Sequence, residues 1–225
     1  MFKSVQSWFA PRANPIGVDF GSDCLRLAQV QQMGNTYRLV AAASADVPDH
    51  VRHNVSARMA FFVETVRDLL AQGNFRSRQA VLSIPASSMY IQHLRMARLD
   101  DAETRKALTW EARGKLPIDP SQAVLRHLVA GEIYQDQDPK NEVIVMAAAR
   151  ELVNQYLASA AKARLDVVGM NVEPKALIDC FAHIQRRRDD SSITQLFLDI
   201  GLSSSRAVIA HGDRIMFARV IPVGG

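Results

Sequence analysis

The sequence predicts a mixed α/β fold of two related halves, with a smaller α/β segment set between parts of the first. Three observations predict it. A strand–turn–strand block returns near the end of the chain in the same register. Short apolar runs of strand length alternate with stretches of helical periodicity. Between about Ser87 and Val172 the pattern changes from that of its flanks.

The repeated block starts as Ile16-Gly17-Val18-Asp19-Phe20-Gly21, turns through Ser22-Asp23, and leaves through Cys24-Leu25-Arg26-Leu27. Its second copy runs Leu196-Phe197-Leu198-Asp199-Ile200-Gly201, turns through Leu202-Ser203-Ser204, and leaves through Ser205-Arg206-Ala207. Asp19 aligns with Asp199, Gly21 with Gly201, and Arg26 with Arg206. A second reversal follows in each copy, at Met33-Gly34-Asn35 and His211-Gly212-Asp213, before a third strand. A unit used twice in one chain indicates internal duplication.

The other elements follow in order. Tyr37 to Ala43 continues the first sheet, and Pro48 ends it. Met59, Phe62, Val63, Val66, Leu69 and Leu70 recur at helical spacing, with Gly73 as a stop. Ala80 to Ile84 is a short apolar strand closed by Pro85, and Met89 to Met96 is another strand. Asp100 or Asp101 caps a helix running to Lys115, with Glu103 favourable in its first turn. Val124–Ala130 and Glu142–Ala148 form a strand pair around an acidic loop. A helix over Arg150–Arg164 leads into a strand from Leu165 to Val168, and Glu173-Pro174 opens the next helix with proline at its favoured first position. The charged run Gln185–Asp190 reads as a solvated linker. The domain division expected is therefore 1–14 as an N-terminal amphipathic segment, 15–86 with 173–190 as the first half, 87–172 as the inserted segment, and 191–225 as the start of the second half. Ending at Gly224-Gly225, that second half is expected to be incomplete and to leave an exposed apolar sheet edge.

At 225 residues and 48% hydrophobic, the chain can bury a substantial core. A net charge of +4 and a pI of 9.3 suit an anionic ligand or a membrane surface without demonstrating either. No apolar run is long enough to span a bilayer, and the first residues do not form a signal peptide. Cys24 and Cys180 show neither metal-ligand spacing nor a disulfide framework, which fits a reducing cytoplasmic location. Phe2, Val5, Trp8 and Phe9 share one helical face, as either a membrane-surface helix or a terminus docked on the body.

The duplicated turns carry the chemistry. Glycine permits a tight turn and close approach of a ligand to the backbone, and successive N–H groups there form an anion-binding concavity. An aspartate beside phosphate makes sense when a hydrated Mg²⁺ lies between them. Two such hairpins facing one another would hold a nucleotide's phosphates and metal. Asp19 and Asp199 are the candidate partners of Mg²⁺ through water. Gly21, Ser22, Arg26, Gly201, Ser203, Ser204, Ser205, Gly224 and Gly225 are the candidate phosphate contacts. The competing view is of two ordinary hairpins with turn-forming Asp and Gly. No His/Cys/Asp constellation supports zinc chemistry, and Ser87-Ser88 has no base partner in view.

The paired Asp-x-Gly hairpins resemble the phosphate motifs of the actin, Hsp70 and sugar-kinase superfamily. Within it, Met1-Phe2-Lys3-Ser4, Val81–Ser88, Trp110–Ile118, Ala147–Val153 and Val172–Leu177 resemble the PilM family of type IV pilus assembly, a relative of FtsA. The resemblance implies an actin-like ATPase (ribonuclease H-like) fold with an inserted 1C-like subdomain, and ATP with Mg²⁺ as ligands. It also implies a cytoplasmic scaffold at the inner face of the inner membrane, docking the tail of a PilN-like membrane protein. Self-association and peripheral membrane contact are compatible with that role, and no nucleic acid is expected. Activity is expected to be at most a weak ATPase, with Glu173 as the candidate for orienting a hydrolytic water; its alternative role is a favourable charge at a helix N-terminus. Arg26 stands where relatives usually have Lys, and Asp23 where a small hydroxyl residue is usual. Ile91, Leu94, Leu108 and Leu116 are the expected walls of a tail-binding cleft between insert and first half, or else core residues of the insert. The alternatives are an FtsA-like cell-division anchor and a sugar-kinase-type phosphotransferase, although no acceptor site for the latter is recognisable.

Overall fold

The computed structural model describes residues 13–135, 138–182 and 193–225. Most of the N-terminal amphipathic segment, residues 136–137 of the acidic loop and the 185–190 charge run lie outside the described residues. The chain divides into two compact units, one of residues 1–83 with 157–170 and the other of 84–156 with 171–225.

The first unit is built on a five-stranded sheet. Strands β1 (Ile16–Phe20), β2 (Cys24–Met33) and β3 (Thr36–Asp46) form an antiparallel meander, and β4 (Gln79–Ile84) pairs parallel to β1. The sheet order is β3-β2-β1-β4-β8, with β8 being Asp166–Val172. Helix α1 (Asp49–Arg52) is a single turn leading to α2 (Val55–Gln72), whose N-cap Asn54 Oδ1 accepts from the Ala57 N–H at 2.9 Å. The α2 stripe read from the sequence buries Phe62, Val66 and Leu70, and Phe62 meets Phe20 of β1 at 5.3 Å between ring centroids. Full burial of such side chains contributes about 1.5–3 kcal/mol each, so this contact fixes α2 over β1. Gly73 stops the helix as expected, its N–H donating to Leu69 O.

One boundary differs from the sequence expectation. The strand after the 150–164 helix was expected in the insert, but β8 joins the β4 edge of the first sheet, where Asp166 N–H donates to Arg78 O at 2.8 Å. A short apolar run announces a strand without saying which sheet edge it will satisfy. Helix α4 (Arg150–Lys162) ends slightly early, before Arg164 takes a left-handed φ of 62°.

The second unit contains two three-stranded sheets. One has the order β5-β7-β6, from Tyr90–Ala97, Asp138–Ala149 and Ala123–Gln135. The other has the order β11-β10-β9, from Arg214–Ile221, Ser205–His211 and Thr194–Ile200. Strand β7 reads as a continuous apolar run because both of its faces are covered. Val143, Val145 and Ala147 pack with Leu94, Met96, Leu108 and Leu116. Ile144 faces Ile178, Val208, Ile215 and Ala218. Helix α3 (Asp101–Glu111) starts with the capping box Asp100/Glu103. It stops short of Lys115, and Gly114 takes φ 73° in the turns that follow. Helix α5 (Glu173–Ala182) was expected with the first half. Instead, its Leu177 and Ile178 pack in the core of the second unit.

Candidate functional site

The duplication seen in sequence is reproduced in geometry. In the first unit the Gly21 N–H donates to Cys24 O at 3.0 Å, and in the second the Gly201 N–H donates to Ser204 O at 3.1 Å. Each glycine therefore closes the same four-residue turn with its own N–H, which is not left to point at a ligand. Asp19 lies directly opposite Arg26 in the β1–β2 register, and Asp199 opposite Arg206 in β9–β10. The second reversals match too, with Gly34 and Gly212 at φ 61° and 60°, a conformation that glycine adopts without penalty.

In the first hairpin one guanidinium serves two carboxylates. Arg26 Nη1 lies 3.5 Å from Asp19 Oδ2, and Nη2 lies 3.2 Å from Asp23 Oδ2. Burial works against the charge on Arg26, yet its pKa is raised on balance by the neighbouring Cys24, Asp23 and Asp19. Burial, reinforced by Asp23 and Asp46 and opposed by Arg26, pushes the Cys24 thiol up. A second cation arrives from α2: Arg58 Nη2 donates to Gly21 O at 2.9 Å, and the guanidinium covers the Phe20 ring at 4.3 Å. Arg58 carries no sequence signal, because nothing in a helical periodicity says which turn it will reach.

The second hairpin repeats the pattern with a different second acid. Arg206 Nη2 lies 2.7 Å from Asp199 Oδ2, while Nη1 lies 2.8 Å from Glu173 Oε2. The same Glu173 oxygen accepts the Ala86 N–H at 2.7 Å. Glu173 and Arg206 are only 13% and 16% exposed, whereas Asp199 is 44% exposed. Arg206 Nε is buried without a hydrogen-bond partner. Glu173, the expected water-orienting acid, is thus held between a guanidinium and a backbone amide at the start of α5. Its carboxylate ties α5, the segment after β4 and β10 together.

The remaining candidates are partly committed within their own turns. Ser205 Oγ donates to Val223 O at 2.7 Å, and the Gly225 N–H donates to Gly201 O at 3.1 Å. Ser204 is buried, while Ser203 is exposed. A Cβ on Gly224 would lie 2.0 Å from Leu202 O, so only glycine fits there. Gly21 and Ser22 are half-buried in the first turn. Among the described residues no three His, Cys, Asp or Glu side chains converge on a metal position. Asp19 and Asp199 each face the arginine of their own hairpin.

A groove of about 610 Å³ lies within the second unit. Its walls are Tyr90 to His93 at the start of β5, Leu116-Pro117, and Phe217 to Val220 of β11, with Glu142 at one side. Both β5 and β11 are edge strands of their sheets. His93 links them, its Nε2 lying 3.3 Å from Ala218 O and its ring 5.0 Å from that of Phe217. Of the four expected wall residues, Ile91 and Leu116 line this groove, whereas Leu94 and Leu108 are buried core. The opposite wall is β11, a strand not assigned to any cleft from sequence.

Among known proteins, the chain matches the model of the family described as type IV pilus assembly protein PilM over residues 17–225. A solved PilM-PilN type IV pilus biogenesis complex is similar at 25% identity and a TM-score of 0.78, covering 94% of this chain and 62% of that one. The chain thus spans under two thirds of the PilM chain it matches. The cytoplasmic domain of EpsL, an inner membrane component of the Vibrio cholerae type II secretion system, is similar at 10% identity and a TM-score of 0.56. That match covers 94% of this chain and 71% of that domain. The ethanolamine utilization protein EutJ of Carboxydothermus hydrogenoformans is similar at 14% identity and a TM-score of 0.51, covering 96% and 54%. These likenesses, one of them to an actin-like ATPase fold protein from Bacteroides thetaiotaomicron at a TM-score of 0.55, give the fold as actin-like. With its duplicated hairpins and a family match over residues 17–225, this chain belongs to the type IV pilus assembly protein PilM family.

Proposed function

We propose that this chain is an actin-like nucleotide-binding scaffold of type IV pilus assembly. It docks the cytoplasmic tail of a PilN-like inner-membrane protein, at the cytoplasmic face of that membrane. The observation that carries the docking is the groove between β5 and β11. It is lined by β5 and β11, each at the end of its sheet, where an extended tail can gain main-chain hydrogen bonds, while Ile91, Leu116 and Phe217 provide apolar contacts. The PilM-PilN complex supports the identity of the partner.

The nucleotide part rests on the duplicated hairpins and the actin-like fold. ATP is the proposed ligand, with the Gly21 turn and the Gly201 turn, each in its own unit, as the candidate phosphate contacts and Asp19 and Asp199 as the candidate partners of its Mg²⁺ through water. The half-buried pairing of Glu173 with Arg206 favours positioning over hydrolysis, which makes the protein a binder rather than an efficient ATPase. No helix among the described residues is long and apolar enough to cross a membrane, and the scaffold reaches the membrane through its partner.

Fluorescence anisotropy with a labelled PilN-like tail on the 225-residue protein tests the docking. Saturable binding is expected, weakened at least about tenfold by Ile91→Asp, since a charge placed in an apolar contact costs more than the about 1.4 kcal/mol that a tenfold change represents. A flat titration by a folded protein would remove the proposal.

A further inference from the structure

We propose that Asp23 is an internal anion that sets how tightly the first hairpin holds a nucleotide's phosphates. The proposal rests on the reading of that hairpin as a phosphate site. Four observations converge on Asp23. Its Oδ1 lies 3.1 Å from where a Cβ on Gly21 would sit, nearer than Arg26 Nη1 at 3.7 Å. The carboxylate therefore stands over the glycine, in the space left open by its missing side chain. Its Oδ2 holds Arg26 Nη2 at 3.2 Å, so the cation best placed to meet a phosphate already has an anion. The backbone around it is fixed, because Asp23 O accepts the Val47 N–H at 2.7 Å and the Gly21 N–H bonds to Cys24 O at 3.0 Å. At the turn Asp19 and Asp23 stand against Arg26 and Arg58, and Asp46 beside Cys24 adds a further negative charge.

A phosphate entering over Gly21 must displace the Asp23 carboxylate or share Arg26 with it, while facing two like charges. With a neutral residue at position 23, two guanidiniums surround a turn that carries one carboxylate. Because Asp23 is partly exposed and its main chain is pinned by neighbours, the exchange leaves the turn folded. Serine is small and neutral, and asparagine keeps the size of aspartate without its charge.

The test is equilibrium binding of Mg-ATP, and separately of pyrophosphate, to the unaltered protein and to Asp23→Ser, Asp23→Asn and Asp68→Ser. Asp68 is an exposed aspartate of α2 and controls for net charge alone. Thermal unfolding verifies that each variant is folded. Both position-23 variants are expected to bind both ligands at least about fivefold more tightly, the scale of an exposed ion pair plus one removed like charge. Asp68→Ser is expected to stay within about twofold of the parent. Equal or weaker binding by the position-23 variants, beside measurable binding by the parent, overturns the proposal and leaves the phosphate site standing. An equal gain in Asp68→Ser, or a gain for Mg-ATP without one for pyrophosphate, also overturns it. If no protein binds either ligand, the phosphate site itself falls, and this proposal falls with it.

Discussion

Replacing Arg206 by Met removes the guanidinium that pairs with two carboxylates, Glu173 and Asp199. The structure sets the scale of the effect. Glu173 is 13% exposed and keeps only its Ala86 N–H among the two bonds made by Oε2. Asp199 is 44% exposed and can recover solvation, so its share is small. Breaking a buried ion pair by deleting one partner costs about 3–5 kcal/mol, because the remaining charge stays buried and uncompensated. Allowing for the partial exposure here, the expected loss is about 2–4 kcal/mol. Part of it is offset because Arg206 Nε is itself a buried donor without a partner, a group whose burial costs about 1–3 kcal/mol. The assay is urea unfolding of the parent, Arg206→Met, Glu173→Gln and the double variant. The double variant should recover about 1–3 kcal/mol relative to additivity, since neutral Gln no longer needs the cation. Unchanged m-values would locate the effect in the folded state. A loss under about 0.5 kcal/mol for Arg206→Met, with no coupling to Glu173→Gln, would refute the claim that this ion cluster holds α5 to β10.

Two further perturbations probe the first unit. Phe62→Ala removes a fully buried ring that packs on Phe20 and should cost about 3–5 kcal/mol in urea unfolding; a loss under about 1 kcal/mol would mean that α2 is not fixed by this contact. Cys24 is buried with its thiol pKa raised and Cys180 is exposed, so a thiol-specific reagent at mildly alkaline pH should label Cys180 rapidly and Cys24 only on unfolding. Because burial disfavours the Cys24 thiolate, this residue's contribution to stability is complete below the ordinary thiol pKa and is lost as pH rises through the raised one. Equal labelling rates would contradict that burial.

The sequence made the duplication legible because turn chemistry is local. Asp-x-Gly, the arginine seven residues beyond each aspartate, and the Gly34 and Gly212 reversals are read from neighbours along the chain, and the strand registers reproduce them. Helix α2 was legible for the same reason, its buried stripe being periodic. Which element joins which sheet was not legible. Strand β8 and helix α5 are apolar segments that satisfy whichever edge or face is nearest in space, and they joined the first sheet and the second unit's core respectively. The sequence marked Glu173 as an acid at a helix start without showing that Arg206 and the Ala86 amide would claim it. Arg58 was hidden altogether, as its partner Gly21 is distant along the chain. The wall residues follow strand alternation, which puts residues three apart on opposite faces. Ile91 and Leu94 lie on one strand, but one lines the groove and the other is core, because β5 turns one face to α3.

The most direct test of the docking proposal is an amide NMR titration of the isotope-labelled 225-residue protein with a PilN-like tail peptide. The account predicts saturating shifts at Tyr90 to His93 and at Phe217 to Val220, the facing edges of β5 and β11, with residues of α2 unmoved. Shifts confined to α2 or to the β2–β3 edge, or no shifts at saturating peptide, would contradict it.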